Sequence, residues 1–192
     1  MEERIGKEMK NTNDTFVCIY PKEHPIPSEQ RLRDCAAEFA AHVGLHFNGD
    51  SPILRTKRGK PFFEGSSFSF SITHSGDYWV CAIGLSPLGV DLQDDRPCKK
   101  ESISRRFFHP AEQQYLNTNG YDGFFSIWAA KESYVKYTGE GISHKFSQFS
   151  VVDEKGKISH VGNAVLRFIP FLKGYTLCLC GENPSHIQLR WF

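Results

Sequence analysis

The stretch at residues 128–136 places an aromatic residue, an acid and a base at intervals of four. Trp128, Glu132 and Lys136 would share one face of an α-helix, because residues four apart are neighbours on a helix surface. No proline interrupts the stretch, and Gly139 stands where a C-cap glycine belongs. Taken alone, the row is most simply a surface ion pair worth roughly a few tenths of a kcal/mol. Whether these three residues have a chemical role depends on which polar groups elsewhere in the chain could act together with them.

A second polar pair lies in the short stretch at residues 90–93. Side chains alternate across a β-strand, so Asp91 and Gln93 would face one side, and Val90 and Leu92 the other. The pair is either the solvated side of a strand end or two oxygen ligands held at a fixed spacing on a rigid element.

A basic loop precedes this strand at residues 53–60. Four cations lie within it: Arg55, Lys57, Arg58 and Lys60. Gly59 allows the backbone to turn, and Pro61 restricts the backbone at the end of the loop. Four cations within six residues favour a loop that faces phosphate over one that only faces water.

Residues 68–73 alternate apolar and hydroxyl side chains, which predicts a half-buried strand. The chain then turns at residues 74–77 and enters another apolar run, so we predict a β-hairpin with His74 at its tip. A lone histidine is either structural or catalytic. The neighbouring hydroxyls of Thr73 and Ser75 leave both possibilities open.

The remaining pattern predicts one strand at residues 15–20 and a helix that Ser28 caps and Gly44 ends. Pro110 opens a further helix, and strands fill the chain after residue 146. Each half therefore carries a helix and several strands, which indicates two similar α+β lobes. We divide the chain into a mobile leader at 1–14, an N-terminal lobe at 15–88 and a C-terminal lobe at 89–192.

Composition narrows the class of protein. The chain has 192 residues and a net charge of +1 with no long block of one sign, which argues against a nucleic-acid partner. Its six cysteines form no C-x-x-C pair, which predicts reduced thiols in a cytoplasmic protein. No apolar run has the length of a membrane span, and the N-terminal residues are too polar for a signal peptide.

Three blocks in this order resemble the Sfp-type 4′-phosphopantetheinyl transferases. They are G-K-P at 59–61, T-H-S-G at 73–76 leading into G-V-D-L-Q at 89–93, and W-x-x-K-E-x-x-x-K at 128–136 with G-x-G at 139–141. The family's R-F-F…E…L segment matches at Arg106, Glu112 and Leu116. The resemblance spans roughly residues 55–180 and implies an α+β fold of two pseudo-symmetric lobes. Each lobe would carry a small antiparallel sheet and a packed helix, with the active site between the lobes of a monomer.

The resemblance also implies a reaction. These enzymes move phosphopantetheine from coenzyme A to a serine of an acyl or peptidyl carrier protein and release 3′,5′-ADP. Asp91 and Glu132 would be the carboxylate ligands of Mg²⁺, with Gln93 as a third ligand. Lys136 would face the phosphates, and Glu132 would be the candidate base for the carrier serine. The coenzyme A phosphates would also contact Lys60, Thr73 and His74.

One departure from the family is Gln93, which occupies the position of a second acid in G-x-D-x-E. An amide oxygen can still bind Mg²⁺, but the site loses one negative charge, so we expect weaker metal binding. The N-terminal lobe is also short, and either Arg31 or Arg33 could meet the coenzyme A 3′-phosphate. Two alternatives to the transferase remain: a coenzyme A-binding member with weakened or lost catalysis, and a metal-dependent hydrolase of diphosphates.

Overall fold

A computed structural model of the chain describes residues 14–141 and 144–192. These ranges contain ten β-strands and four α-helices. In chain order they are β1 Thr15–Pro21, α1 Ser28–Val43, β2 Ile53–Arg55, β3 Pro61–Phe63, β4 Ser69–Ser75, β5 Tyr78–Gly84, β6 Leu88–Asp94, α2 Lys100–Phe107, α3 Pro110–Asn119, α4 Phe124–Thr138, β7 His160–Val161, β8 Ala164–Ile169, β9 Tyr175–Gly181 and β10 Ile187–Trp191. The predicted α+β class is confirmed.

The strands form two four-stranded sheets and one small hairpin. The first sheet has the order β10-β1-β5-β4, the second has the order β6-β9-β8-β7, and β2 pairs with β3. All pairs are antiparallel except β1 with β10. Because β10 comes from the end of the chain, the first sheet contains residues from both proposed lobes, and the division at residues 88 and 89 stays a prediction.

The two sheets and two helices pack in layers, and β1 shows how the sequence specifies this arrangement. Phe16 and Cys18 belong to the core that the first sheet shares with α1. Val17 and Ile19 alternate with them and pack in the core between the two sheets. A strand that is buried on both faces reads as a continuous apolar run, as β1 does. On the far side, α4 covers the second sheet, where Cys178 and Cys180 meet it.

The ends of the helices follow local chemistry. Gly44 and Gly139 both adopt left-handed conformations, with φ of 73° and 72°, and cap α1 and α4 as predicted. The predicted cap at Ser28 is wrong, because Ser28 is the first helical residue and Pro27 occupies the cap position without a side-chain bond. In the described ranges, no helix combines the length and the apolarity needed to cross a membrane.

The predicted leader lies outside the described residues except for Asp14. Asp14 is buried, and its Oδ2 atom lies 2.6 Å from Nε2 of His42 and 3.0 Å from Nε2 of Gln188. The carboxylate therefore joins the start of β1 to the last turn of α1 and to β10.

Gly89 lets α4 lie directly on β6. A Cβ atom at this position would stand 2.1 Å from the Ser133 carbonyl oxygen and 2.3 Å from the Tyr137 backbone nitrogen. Both atoms belong to the helix backbone, so Gly89→Ala should displace α4 and cost roughly 3 kcal/mol or more of unfolding free energy. Urea denaturation measures this loss. Gly49→Ala is the control, because nothing lies within 4 Å of its Cβ, and a loss of similar size there would contradict the steric explanation.

Candidate active site

Strand β6 is an edge of the second sheet, and β4 is an edge of the first. The two edges meet through side chains. Three hydroxyls of β4 accept hydrogen bonds from backbone N–H groups of β6: Ser71 from Val90 (3.1 Å), Thr73 from Leu92 (3.3 Å) and Ser75 from Asp94 (3.0 Å). The predicted alternation of β4 is confirmed, and it places these hydroxyls between the sheets. They satisfy donors that an edge strand would otherwise leave unpaired.

Two lysines bind carbonyl groups on the same edge of β6. Nζ of Lys60 donates to the carbonyls of Leu88 (2.8 Å) and Tyr137 (3.0 Å), which joins β6 to the last turn of α4. Nζ of Lys136 donates to the carbonyl of Val90 at 3.1 Å. Burial lowers the pKa of Lys60 to about 8. Each of these ammonium groups has three N–H donors, and Lys60 uses two of them within residues 14–141 and 144–192, which leaves one for a ligand.

Asp91 projects from β6 into the space between the sheets and α4, where its side chain is 4% exposed. Its Oδ1 atom accepts from Lys136 Nζ at 2.6 Å and from the Thr73 hydroxyl at 3.1 Å. Its Oδ2 atom accepts from Gln93 Nε2 at 2.7 Å. Burial raises the pKa of Asp91, although the ion pair with Lys136 and the bonds from Gln93 and Thr73 oppose the increase. The carboxylate is therefore held by three donors.

Glu132 faces the same site from α4 and is 7% exposed. Burial and the nearby charge of Asp91 raise its pKa to about 7, while Lys136 opposes the increase. The two carboxylates therefore lie close enough to repel each other within one site, with the lysine beside them. An acid with a pKa near neutrality can hold or release a proton at physiological pH.

A cleft of about 330 Å³ opens beside these groups. Its walls are residues 58–61, β4 and α4, and Glu132 and Lys136 line it. At its edge, Arg58 pairs with Glu140 at 3.2 Å. Clefts of this size that combine apolar walls with a few polar groups are typical ligand sites.

The donor chemistry of the site suits Mg²⁺. In the described residues, no three His, Cys, Asp or Glu side chains come together as a metal cluster. Mg²⁺, however, commonly takes one or two carboxylates and completes its shell with water and substrate phosphates. Asp91 and Glu132 supply two carboxylates whose mutual repulsion a divalent cation would relieve. Gln93 directs its amide nitrogen at Asp91, so its oxygen would become a ligand only if the amide turned.

The two remaining predicted phosphate contacts lie on opposite sides of β4. Thr73 is buried against β6, whereas His74 is exposed, as alternation along a strand requires. The strand continues through Ser75, and the turn lies at Gly76 and Asp77. His74 is therefore within the strand and not at the hairpin tip, because the left-handed turn needs the glycine that follows two residues later.

The two arginines considered for the 3′-phosphate are engaged elsewhere. The guanidinium of Arg31 donates to four backbone carbonyls at the end of β1 and in the loop that follows it: Pro21, Lys22, His24 and Ile26. Arg33 donates to Glu29 and to the carbonyls of Gly49 and Ser51. Both side chains stabilise loops around α1.

The sequence did not indicate the buried ion pair between Lys131 and Glu112. Both side chains are fully buried, and Lys131 Nζ donates to Glu112 Oε1 at 2.9 Å and to the Phe149 carbonyl at 2.6 Å. Glu112 also accepts from the backbone N–H groups of His109 and Val151. The pair ties α3, α4 and the segment near residue 150 together. Lys131 and Glu112 are 19 positions apart in the sequence, so the periodicity of a single helix does not predict that they are in contact.

Trp128 completes the row on α4. It is half-buried, and its ring lies about 6 Å from four phenylalanine rings: Phe107, Phe108, Phe124 and Phe146. The indole therefore anchors the first part of the helix in an aromatic cluster. Glu132 and Lys136 follow on the next two turns, at the cleft.

Comparison with known proteins adds an independent finding. The model of the 4′-phosphopantetheinyl transferase superfamily matches residues 87–180. The chain is 30% identical over 145 residues to 4′-phosphopantetheinyl transferase psf-1 of Bacillus pumilus, covering 68% of this chain and 62% of that relative. It is 35% identical over 107 residues to a 4′-phosphopantetheinyl transferase of Bacillus subtilis, covering 53% and 47%.

A vertebrate relative matches more of the chain. The L-aminoadipate-semialdehyde dehydrogenase-phosphopantetheinyl transferase of Xenopus laevis is 30% identical over 174 residues, covering 73% of this chain and 58% of that relative. The chain thus spans about half to three fifths of the length of these three relatives.

Proposed function

Because the chain belongs to the 4′-phosphopantetheinyl transferase superfamily and resembles its Sfp-type members, we propose that it is a transferase acting on carrier proteins. It moves the 4′-phosphopantetheine arm of coenzyme A to a serine of an acyl or peptidyl carrier protein and releases 3′,5′-ADP. The observation that carries the proposal is the convergence of Asp91, Glu132 and Lys136 beside the cleft.

The cations around the cleft suit the pyrophosphate of coenzyme A. Lys136 has two of its three N–H donors on Val90 and Asp91, so it can bind a phosphate oxygen with the third. Lys60 also keeps one donor, and His74 is exposed on the neighbouring strand. We therefore retain Lys60, His74 and Lys136 as phosphate contacts. Fixed cations of this kind stabilise the charge that develops in phosphoryl transfer.

We propose Asp91 and Glu132 as the residues that hold Mg²⁺, and Gln93 as a third ligand that requires its amide to rotate. When bound, Mg²⁺ supplies positive charge to the phosphate oxygens of the pyrophosphate. The protein supplies two carboxylates instead of three at this position, which supports weaker metal binding than in relatives with a second acid.

The chemical step breaks one P–O bond and forms another. The carrier serine Oγ attacks the phosphorus that bears pantetheine, and the bond from that phosphorus to the bridging oxygen breaks. The electron pair leaves with 3′,5′-ADP, whose charge Lys136 offsets. The serine proton passes to Glu132, directly or through water, because an ionised carboxylate can accept it as a general base.

The proposed setting is a monomer in the cytoplasm. One chain supplies both sheets and all three walls of the cleft, so a second copy is not needed to complete the site. All six cysteines lie in the described ranges and are free thiols, as a reducing compartment favours. The net charge of +1 gives no support to a nucleic-acid partner. An acidic carrier helix would make docking sensitive to salt.

Intact-mass measurement of carrier proteins tests the function. The purified protein is mixed with coenzyme A, Mg²⁺ and apo-carriers from fatty-acid, polyketide and peptide synthases. We expect at least one carrier to gain the mass of phosphopantetheine, Asp91→Ala to abolish the gain, and Gly49→Ala to leave it intact. No gain on any carrier would contradict the proposal.

The alternative is a coenzyme A-binding protein with lost catalysis, and the observation that favours it is Gln93 in place of an acid. Calorimetry separates the two functions. Tight coenzyme A binding without modification of any carrier supports the alternative, whereas binding accompanied by turnover supports the transferase.

A further inference from the structure

The hydroxyl of Thr73 has both a donor and an acceptor partner, and the group that accepts its proton is the Asp91 carboxylate. Thr73 is 6% exposed, and its single O–H donates to Asp91 Oδ1 at 3.1 Å. Its oxygen also accepts from the Leu92 N–H at 3.3 Å. A threonine has only one O–H to donate. Donating it to a phosphate would therefore break the bond to Asp91.

The acceptor positions of Asp91 show what this bond does. A carboxylate has about four lone-pair positions, two on each oxygen. Lys136 and Thr73 occupy both positions of Oδ1, and Gln93 occupies one position of Oδ2. With respect to the residues that the structure describes, one position therefore remains, on Oδ2. The donors determine both the rotation of the carboxylate and the oxygen that it can offer to a cation.

From this geometry we infer that Thr73 is a positioning residue for Asp91 and not a ligand of coenzyme A phosphate. It acts through the O–H to Oδ1 bond, which directs Oδ2 toward a bound divalent cation. The inference rests on the proposed function, because it assigns to Asp91 the role of a metal ligand. It gives Thr73, which was predicted as a phosphate contact and which the structure buries, a different role.

Ser75 provides a matched comparison on the same strand. Its hydroxyl also accepts from a β6 backbone N–H, that of Asp94, at 3.0 Å, so it joins the two sheets as Thr73 does. It donates to Asp94 Oδ1 at 2.7 Å and makes no bond to Asp91. Removing the Ser75 hydroxyl should therefore weaken the contact between the sheets without freeing the Asp91 carboxylate.

The test measures binding and does not depend on transfer. Mg²⁺ is titrated calorimetrically into the wild type, Thr73→Val, Thr73→Ser and Ser75→Ala, each alone and saturated with coenzyme A. Coenzyme A is also titrated in EDTA, and the melting temperature of each variant is recorded. Because supporting partners of metal ligands typically contribute about 10- to 100-fold in metal affinity, Thr73→Val should raise the Kd for Mg²⁺ by this factor.

The other variants give the expected contrast. Thr73→Ser should restore Mg²⁺ binding, and Ser75→Ala should keep it within about twofold despite a lowered melting temperature. The Kd for coenzyme A in EDTA should stay within about twofold in Thr73→Val.

A weaker coenzyme A affinity in EDTA with unchanged Mg²⁺ affinity would make Thr73 a phosphate ligand. Equal loss of Mg²⁺ affinity in Thr73→Val and Ser75→Ala, failure of Thr73→Ser to restore it, or a wild type that binds no Mg²⁺ would each overturn the inference. Failure of the proposed transfer would instead appear as an unmodified carrier with these binding changes intact.

Discussion

Glu132→Gln is expected to lower the rate of carrier modification at least about 100-fold and, at the same time, to stabilise the fold at neutral pH. The rate falls because the variant loses the proposed general base, a role that contributes about 10²- to 10⁴-fold, and a proposed metal ligand. The fold gains stability because glutamine carries no charge in a site where burial and Asp91 disfavour the ionised acid.

The effect of Glu132→Gln on the stability of the fold depends on pH. The folded-state pKa of Glu132 is raised from 4.5 to about 7, so the carboxyl is harder to ionise in the folded protein than in the unfolded chain. The cost to folding is absent below about pH 4.5, grows as pH rises toward 7, and is constant above that. At about 1.4 kcal/mol per pKa unit, it reaches roughly 3 kcal/mol.

Urea denaturation of wild type and Glu132→Gln in metal-free buffer, at pH 4.5 and pH 8, measures this difference. We expect similar stability at the lower pH and a variant that is more stable at the higher pH. Glu140→Gln, in the exposed pair with Arg58, serves as the control and should change stability by less than about 1 kcal/mol. Two results would contradict the role proposed for Glu132: a Glu132→Gln variant that modifies the carrier at the wild-type rate, or one that is less stable than the wild type at pH 8.

Lys131→Met is expected to destabilise the fold by roughly 3–5 kcal/mol, the usual cost of removing one partner from a buried ion pair. Glu112 would keep its bonds to the backbone but would carry an uncompensated charge at 0% exposure. For a chain of 192 residues, this corresponds to a fall of roughly 6–20 °C in melting temperature.

The double variant Lys131→Met with Glu112→Gln separates pairing from packing. Because it leaves no isolated charge, it should recover part of the stability that Lys131→Met loses, as seen by calorimetry of the single and double variants. The exposed pair of Arg58 and Glu140 is again the control, since surface pairs contribute about 0–1 kcal/mol. A loss below about 1 kcal/mol for Lys131→Met would show that the pair does not support α4.

The features that the sequence predicted well are local. The spacing of Trp128, Glu132 and Lys136 identified one face of α4, and Gly139 marked its end. These predictions rest on interactions within a few residues, which helical periodicity reports directly. The order of the motifs also supported the α+β class, because strands and helices alternate with short turns in both halves of the chain.

The features that the sequence did not reveal depend on which elements meet in space. The hydroxyls of β4 were visible as an alternating pattern, but nothing local showed that they would bond to the edge of β6. The pairing of β10 with β1 joins strands from opposite ends of the chain, and no spacing rule predicts such a partner. Lys131 and Glu112 were seen as motif residues, yet their mutual burial follows from the packing of α3 on α4.

The proposed function requires that one site transfers an arm from coenzyme A to a carrier and does not cleave coenzyme A with water. The most direct measurement is the amount of 3′,5′-ADP released, compared with the amount of holo-carrier formed, with and without apo-carrier. We expect release only when apo-carrier is present, at one 3′,5′-ADP for each carrier modified. Release without carrier, or in excess of the holo-carrier formed, would contradict it and would indicate a diphosphate hydrolase.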